Sequence, residues 1–257
     1  MTQASDMILD LFRLDQRIAL VTGAASGLGA AIALALGQAG ATVACHGNRR
    51  AATETAEAIG GAATAFRADL SSTNGAENLF AQVKQKFGRI DILVNNAGTI
   101  HRAAAEEVAL EDWQRILQVN LTSVFQLSQL AARDMIGRNA GGKIVNIASL
   151  LSFQGGIRVP AYAASKGGIA QLTKALANEW AAKGIQVNAI APGYFSTTNT
   201  EALQADEVRN RQILERIPAG RWGQPQDLAG AAVFLSSRAS DYVTGAILSV
   251  DGGWMGR

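Results

Sequence analysis

Short apolar runs and longer mixed stretches alternate along this chain from residue 18 to residue 250. The apolar runs fall at 18–22, 42–46, 64–67, 90–94, 143–147, 186–190 and 246–250. Several are continuously apolar, as strands are when helices cover both faces of their sheet. Between them, 28–38, 51–59, 73–87, 111–136, 162–182, 200–215 and 225–236 carry helical patterning. Repeated strand–helix units predict parallel pairing with right-handed crossovers, hence an α/β fold. No composition break, low-complexity linker or internal repeat divides residues 1–257, which predicts a single domain. The segment 194–223 is the least regular and reads as a lid over a site.

Composition narrows the function classes. The 257 residues, 48% hydrophobic, suit one large domain whose core needs no covalent staples. A net charge of +2 gives no case for nucleic acid or an anionic membrane as partner. Cys45 is the one cysteine, so no disulfide can form within the chain. His46 and His101 are the only histidines, so no metal-ligand cluster can be read. The apolar stretch 28–36 is too short to span a bilayer. Asp6, Asp10, Arg13 and Asp15 interrupt the apolar positions near the start, so no signal peptide is expected. The expectation is a soluble cytoplasmic protein.

Two local patterns carry chemistry. Thr22-Gly-Ala-Ala-Ser-Gly-Leu-Gly29 follows the first strand and opens the first helix. Glycines there permit a tight turn and close approach to a diphosphate, and the helix N-terminus offers N–H groups to the phosphates. Tyr162 and Lys166 are four residues apart and share a helix face, with Ser149 thirteen residues upstream. A free phenol titrates near 10, too high for efficient proton transfer at neutral pH. A neighbouring ammonium would lower it toward the working range, and a serine hydroxyl could bond the substrate oxygen.

With Asn95-Asn-Ala-Gly98, Asn120 and Pro192-Gly193 in the same order, the chain resembles the short-chain dehydrogenase/reductase family over nearly its whole length. That resemblance implies a Rossmann-type, doubly wound parallel sheet of about seven strands in the order 3-2-1-4-5-6-7. It implies Tyr162 as general acid/base and Lys166 as its cationic partner and ribose ligand. Ser149 would bond the reacting oxygen, and Asn120 would anchor a proton relay through water to Lys166. It also implies cofactor contacts at Gly23, Ser26, Gly27, Leu28, Gly29, Asp69, Leu70, Asn96, Ala97, Gly98, Pro192, Gly193 and Thr197. An Asp in the place of Asp69 is also a common cap. Family members are commonly homotetramers.

The second strand ends Cys45-His-Gly-Asn-Arg-Arg50, with Gly47 where an NAD enzyme of this fold usually carries an acid. Asn48, Arg49 and Arg50 could instead receive a 2′-phosphate, so NADP(H) is favoured and NAD(H) remains possible. Stretches at 152–160, 191–200, 216–223 and 250–254 resemble bacterial dehydrogenases of sugar acids of the 2-deoxygluconate, 2-dehydro-3-deoxygluconate or gluconate type. Basic residues His101, Arg102, Arg158 and Arg221 fall in segments expected to border the site and would attract such an anion. Arg102 or Arg158 is the expected carboxylate contact, with Gln154 and Trp254 as further substrate candidates; Trp254 would alternatively pack at a subunit interface. Two other readings remain open: a 3-oxoacyl-carrier-protein reductase, and a non-catalytic dinucleotide-sensing protein.

Overall fold

Strands β1 (Ile18–Val21), β2 (Thr42–Gly47), β3 (Ala63–Arg67), β4 (Ile92–Asn95), β5 (Gly142–Ile147), β6 (Ile185–Pro192) and β7 (Ile247–Val250) form one sheet. The computed structural model describes residues 7–257, Asn199 by its backbone alone; Asp6 of the N-terminal charge argument lies outside the described residues. The strand order is β3-β2-β1-β4-β5-β6-β7, and every pairing is parallel. This is the expected Rossmann-type sheet.

Both faces of the sheet are buried, which explains the apolar runs. Ala19 and Val21 of β1 point into one core beneath helices α1 (Gly27–Gln38), α2 (Thr53–Ile59) and α9 (Ala229–Ser236). Leu20 points the other way, against α3 (Gly75–Phe87), α5 (Ser123–Gly137) and α6 (Pro160–Trp180). The same alternation recurs in β4, where Ile92 and Val94 face the first core and Leu93 the second. A further apolar cluster lies beyond the strand ends. Leu150, Ile213, Ile217, Trp222 and Trp254 join α8 (Glu207–Arg216) to the C-terminal segment.

Three of the departures from the expected elements have an identifiable cause. The strand foreseen at 90–94 begins at Ile92, because the buried Asp91 side chain accepts from the Ile18 N–H at 3.0 Å and pairs with Arg89 and Arg138. The helix foreseen at 111–136 is broken into α4 (Leu110–Leu117), a π-turn at Gln118–Thr122, and α5. The Ser123 N–H donates to the Gln118 carbonyl, one residue farther back than in an α-helix. The helix foreseen at 200–215 is two, α7 (Glu201–Ala205) and α8, because the Asp206 carboxylate caps the Arg209 N–H at 3.0 Å and starts a new helix.

Candidate active site

Strand order reverses between β1 and β4, and a crevice opens at their C-terminal ends. A hydrogen-bonded clasp holds its floor. Thr22 Oγ1 accepts from the Asn96 and Ala97 N–H groups, each at 2.9 Å. The Asn96 amide donates back to the Thr22 carbonyl at 2.9 Å and to the Gly23 carbonyl at 3.2 Å. A Cβ on Gly29 would strike both the Gly23 carbonyl and the Asn96 amide, so only glycine lets α1 begin this close to the turn.

The cleft above is about 760 Å³. Gly23, Ser26, Gly27, Leu28, Gly29, Asn96, Ala97, Gly98, Pro192, Gly193 and Thr197 line it. Ser26 stands at the N-cap of α1 but makes no capping bond, and no acid occupies the first turn. The first-turn N–H groups of α1 are therefore open to an anion at the positive end of the helix. The size of the cleft, its glycine turn and these uncapped donors fit the diphosphate of a dinucleotide.

Ser149, Tyr162 and Lys166 line the same cleft. Tyr162 and Lys166 project from one face of α6, with the Lys166 Nζ 5.6 Å from the Tyr162 ring centre. Ser149 caps a short turn after β5, its Oγ accepting from the Leu151 N–H at 3.2 Å, and its hydroxyl lies close enough to the Tyr162 phenol to favour the phenolate. Lys166 Nζ donates to the Ile147 carbonyl at 2.6 Å. Burial lowers the Lys166 ammonium to about 8. For Tyr162 the expected direction is corrected. Burial raises the phenol above its ordinary value, while the Ser149 hydrogen bond and the Arg102 charge pull it down only in part. The Arg102 guanidinium is one cation whose charge favours the phenolate.

Asn120 lies in the π-turn, fully buried and behind the cleft rather than on its surface. Its amide accepts from the Thr99 N–H at 2.8 Å, and donates to the Thr99 carbonyl at 2.9 Å and to Ser165 Oγ at 3.2 Å. Ser165 in turn donates to the Tyr162 carbonyl at 2.7 Å. Asn120 thus ties the loop after β4 to the turn of α6 that carries Tyr162.

At the far end of β2 the outcome is mixed. Asn48, Arg49 and Arg50 lie on an exposed turn outside the cleft. Arg50 approaches Glu54 at 3.9 Å, and Arg67 Nε donates to the Asn48 carbonyl at 3.0 Å. The Asp69 carboxylate accepts from Ser71 N–H and Oγ–H and from the Asn48 amide, contacts that hold it below the usual carboxylate range. Leu70 is buried in the second core.

The basic residues separate. Arg102 lines the cleft, as do Gln154 and Trp254. Arg158 does not; it is exposed, in the left-handed region at φ 64°, with its carbonyl accepting from the Ala103 N–H. His101 faces Asp112 at 3.6 Å, and Arg221 is held by Asp227 at 2.6 Å, so neither borders the cleft. Two arginines of α8, Arg209 and Arg216, do line it. Sequence reasoning also misses His46. It is buried, with Nδ1 accepting from the Gly23 N–H at 3.3 Å and Nε2 bonding the Ala68 carbonyl at 3.1 Å. It braces the glycine turn against β3, and burial lowers its pKa. Among the described residues no His, Cys, Asp and Glu cluster could hold a metal, and no helix is long and apolar enough to cross a membrane.

Comparison with known proteins agrees with this geometry. A family profile described as "Enoyl-(Acyl carrier protein) reductase" matches residues 23–255. The 2-dehydro-3-deoxy-D-gluconate 5-dehydrogenase of Bacillus subtilis strain 168 is 55% identical over 96% of this chain and 98% of its own. A solved structure from Agrobacterium tumefaciens, provisionally named a 2-deoxy-D-gluconate 3-dehydrogenase and holding NADP, is 56% identical. It superposes with a TM-score of 0.91 over 96% of this chain and all of its own. A gluconate 5-dehydrogenase from Burkholderia cenocepacia, solved with NADP and tartrate, is 41% identical with a TM-score of 0.90, covering 98% of this chain and 100% of that one. The chain belongs to the short-chain dehydrogenase/reductase family of oxidoreductases.

Proposed function

We propose that this protein interconverts a hydroxyl and a keto group on a sugar acid of the 2-deoxygluconate, 2-dehydro-3-deoxygluconate or gluconate type, with NADP(H) as the redox partner. The observation that carries the reading is the corner where Ser149, the Tyr162 phenol and the buried Lys166 ammonium meet, 5.6 Å separating Lys166 Nζ from the Tyr162 ring centre, in a cleft with an open helix N-terminus. When bound, the nicotinamide accepts or returns a hydride. The chain handles the accompanying proton. In the oxidative direction Tyr162 Oη, as phenolate, takes the proton of the substrate hydroxyl; in reduction it returns it to the carbonyl oxygen. Ser149 Oγ bonds the same oxygen and holds it in line with the phenol. Lys166, held by the Ile147 carbonyl, keeps two N–H donors for the ribose side. Asn120 acts through Thr99 and Ser165, as a positioning residue.

NADP(H) is supported by Gly47 in place of an acid, by the exposed Arg49 and Arg50 beside it, and by the NADP held by two of the relatives above. Self-assembly into a homotetramer is supported by edge strand β7 with Leu248 exposed, and by exposed Leu110 and Phe125 on α4 and α5; light scattering of the purified protein tests it. The functional test is the change in nicotinamide absorbance with a panel of sugar acids and a short 3-oxoacyl ester, using NADP(H) and NAD(H). Turnover of sugar acids with NADP(H) is the expected result. Turnover of the acyl ketone alone would assign the chain to acyl reduction. NADPH binding without turnover of any substrate would make it a sensor.

A further inference from the structure

One wall of the cleft is built by α8 and the C-terminal segment, far in sequence from the residues already assigned. Arg216 closes α8 and lays its guanidinium over Trp254, with Cζ 4.1 Å from the ring centre. The Trp254 indole is itself fixed. Its N–H donates to Gln154 Oε1 at 3.1 Å, and Tyr194 packs against it at 4.7 Å between ring centres. Trp254 is only 6% exposed, so the platform under Arg216 is part of the packed cluster that includes Leu150 and Ile213. Arg216, Trp254, Gln154 and Tyr194 all line the cleft.

Stacking grips a guanidinium by its face and leaves the edge donors pointing outward. No hydrogen bond or ion pair to another described residue engages those donors in Arg216. Of the other cations near this wall, Arg221 is paired with Asp227, and Arg209, exposed and without an aromatic platform, spends one nitrogen on Gln212 Oε1 at 3.2 Å. Arg102 acts on the Tyr162 phenol and so belongs to the reacting end. We infer that Arg216, held on the Trp254 face, is the specificity residue that grips the substrate carboxylate in a forked pair. The inference rests on the sugar-acid reading and adds the group that selects acids over neutral polyols.

Arg216→Met keeps a stem over the indole and removes the charge and the fork. In the enzyme saturated with NADP⁺, it should lower kcat/KM for gluconate-type acids about 10- to 100-fold, the loss expected for a charge-assisted pair. The change should fall in KM, with kcat within about threefold and the NADPH dissociation constant unchanged. Arg216→Lys retains the charge and should recover part of the KM. Tartrate, titrated into the NADPH complex by calorimetry, should bind the wild-type protein and weaken in parallel in the Met variant. An unchanged KM and tartrate affinity in Arg216→Met overturns the inference, as does a loss confined to kcat. A wild-type protein that turns over no sugar acid overturns the proposed function instead, and the tartrate titration then judges Arg216 by itself. If Arg216→Met does not fold, Arg216→Gln is read by the same criteria.

Discussion

The carbonyl oxygen of Arg50 occupies the space that a side chain on Gly47 would need. The turn that brings Arg49 and Arg50 to the end of β2 therefore requires glycine at its start. An acid at position 47 and this turn are mutually exclusive, so coenzyme choice is a property of the backbone path as well as of charge.

Replacing Arg49 and Arg50 together with Ala should raise the NADPH dissociation constant about 10- to 100-fold, the scale of one or two charge-assisted contacts. NADH should change less than about threefold. Gly47→Asp should weaken NADPH without creating tight NADH binding, because the turn must first rearrange. Fluorescence titration of both coenzymes checks this; equal weakening of both by the double Ala variant would remove the 2′-phosphate assignment.

Tyr162→Phe should lower kcat by about 100- to 10,000-fold, the usual span for losing a general acid/base, while NADPH binds within a few-fold of the wild type. Ser149→Ala should lower kcat too, and should also raise the pH at which the oxidative rate levels off, because the hydrogen bond that lowers the phenol is gone. A Phe variant turning over near the wild-type rate would discard the proton-transfer role.

Lys166 is held near 8 rather than its ordinary 10.5 because it is buried. Between those values the unfolded chain binds a proton that the folded chain lacks, so stability rises with pH across that window. Below it, the charged Lys166 weighs against the fold by roughly 3 kcal/mol at about 1.4 kcal/mol per unit. Relative to Lys166→Met, the wild type without coenzyme should therefore gain stability from pH 7 to pH 10. Urea unfolding at the two pH values measures the difference; a gap that does not move with pH would refute the assignment.

Trp254→Ala should cost about 3–5 kcal/mol, the range for emptying a packed aromatic site, and should raise the KM for the acid by removing the support under Arg216. NADPH affinity should be nearly unchanged, since Gly23, Gly29 and Asn96 belong to a separate part of the cleft. Thermal melts with coenzyme titrations separate the two effects.

The sheet and the residues of the glycine turn were legible because local patterns specify them: buried strands read as apolar runs, and Gly29 is fixed by a close approach within the same short region. Tyr162 and Lys166 were legible because one helix face joins them. Their electrostatics were not, since burial and the Arg102 charge come from the surrounding fold. The π-turn at Asn120 was hidden for a related reason. Helical periodicity does not register one extra residue, and the partners Thr99 and Ser165 are distant in sequence. Arg158 was expected at the site because its segment borders it, yet it stands exposed on a left-handed turn outside the cleft. Arg216 had no local signal, because its role depends on an indole 38 positions later.

The parallel sheet also arranges the work in chain order. Most of the residues expected to cradle the dinucleotide fall in the first hundred positions, with Pro192, Gly193 and Thr197 joining them after β6; the proton-handling corner runs from Ser149 to Lys166, and the wall that carries Arg216 is closed by α8 and Trp254. A chimera that grafts α8 and the C-terminal segment from a relative should inherit that relative's substrate preference while keeping the redox engine of this chain. Divergence in this lineage therefore has a ready route: exchange that wall and leave the rest alone.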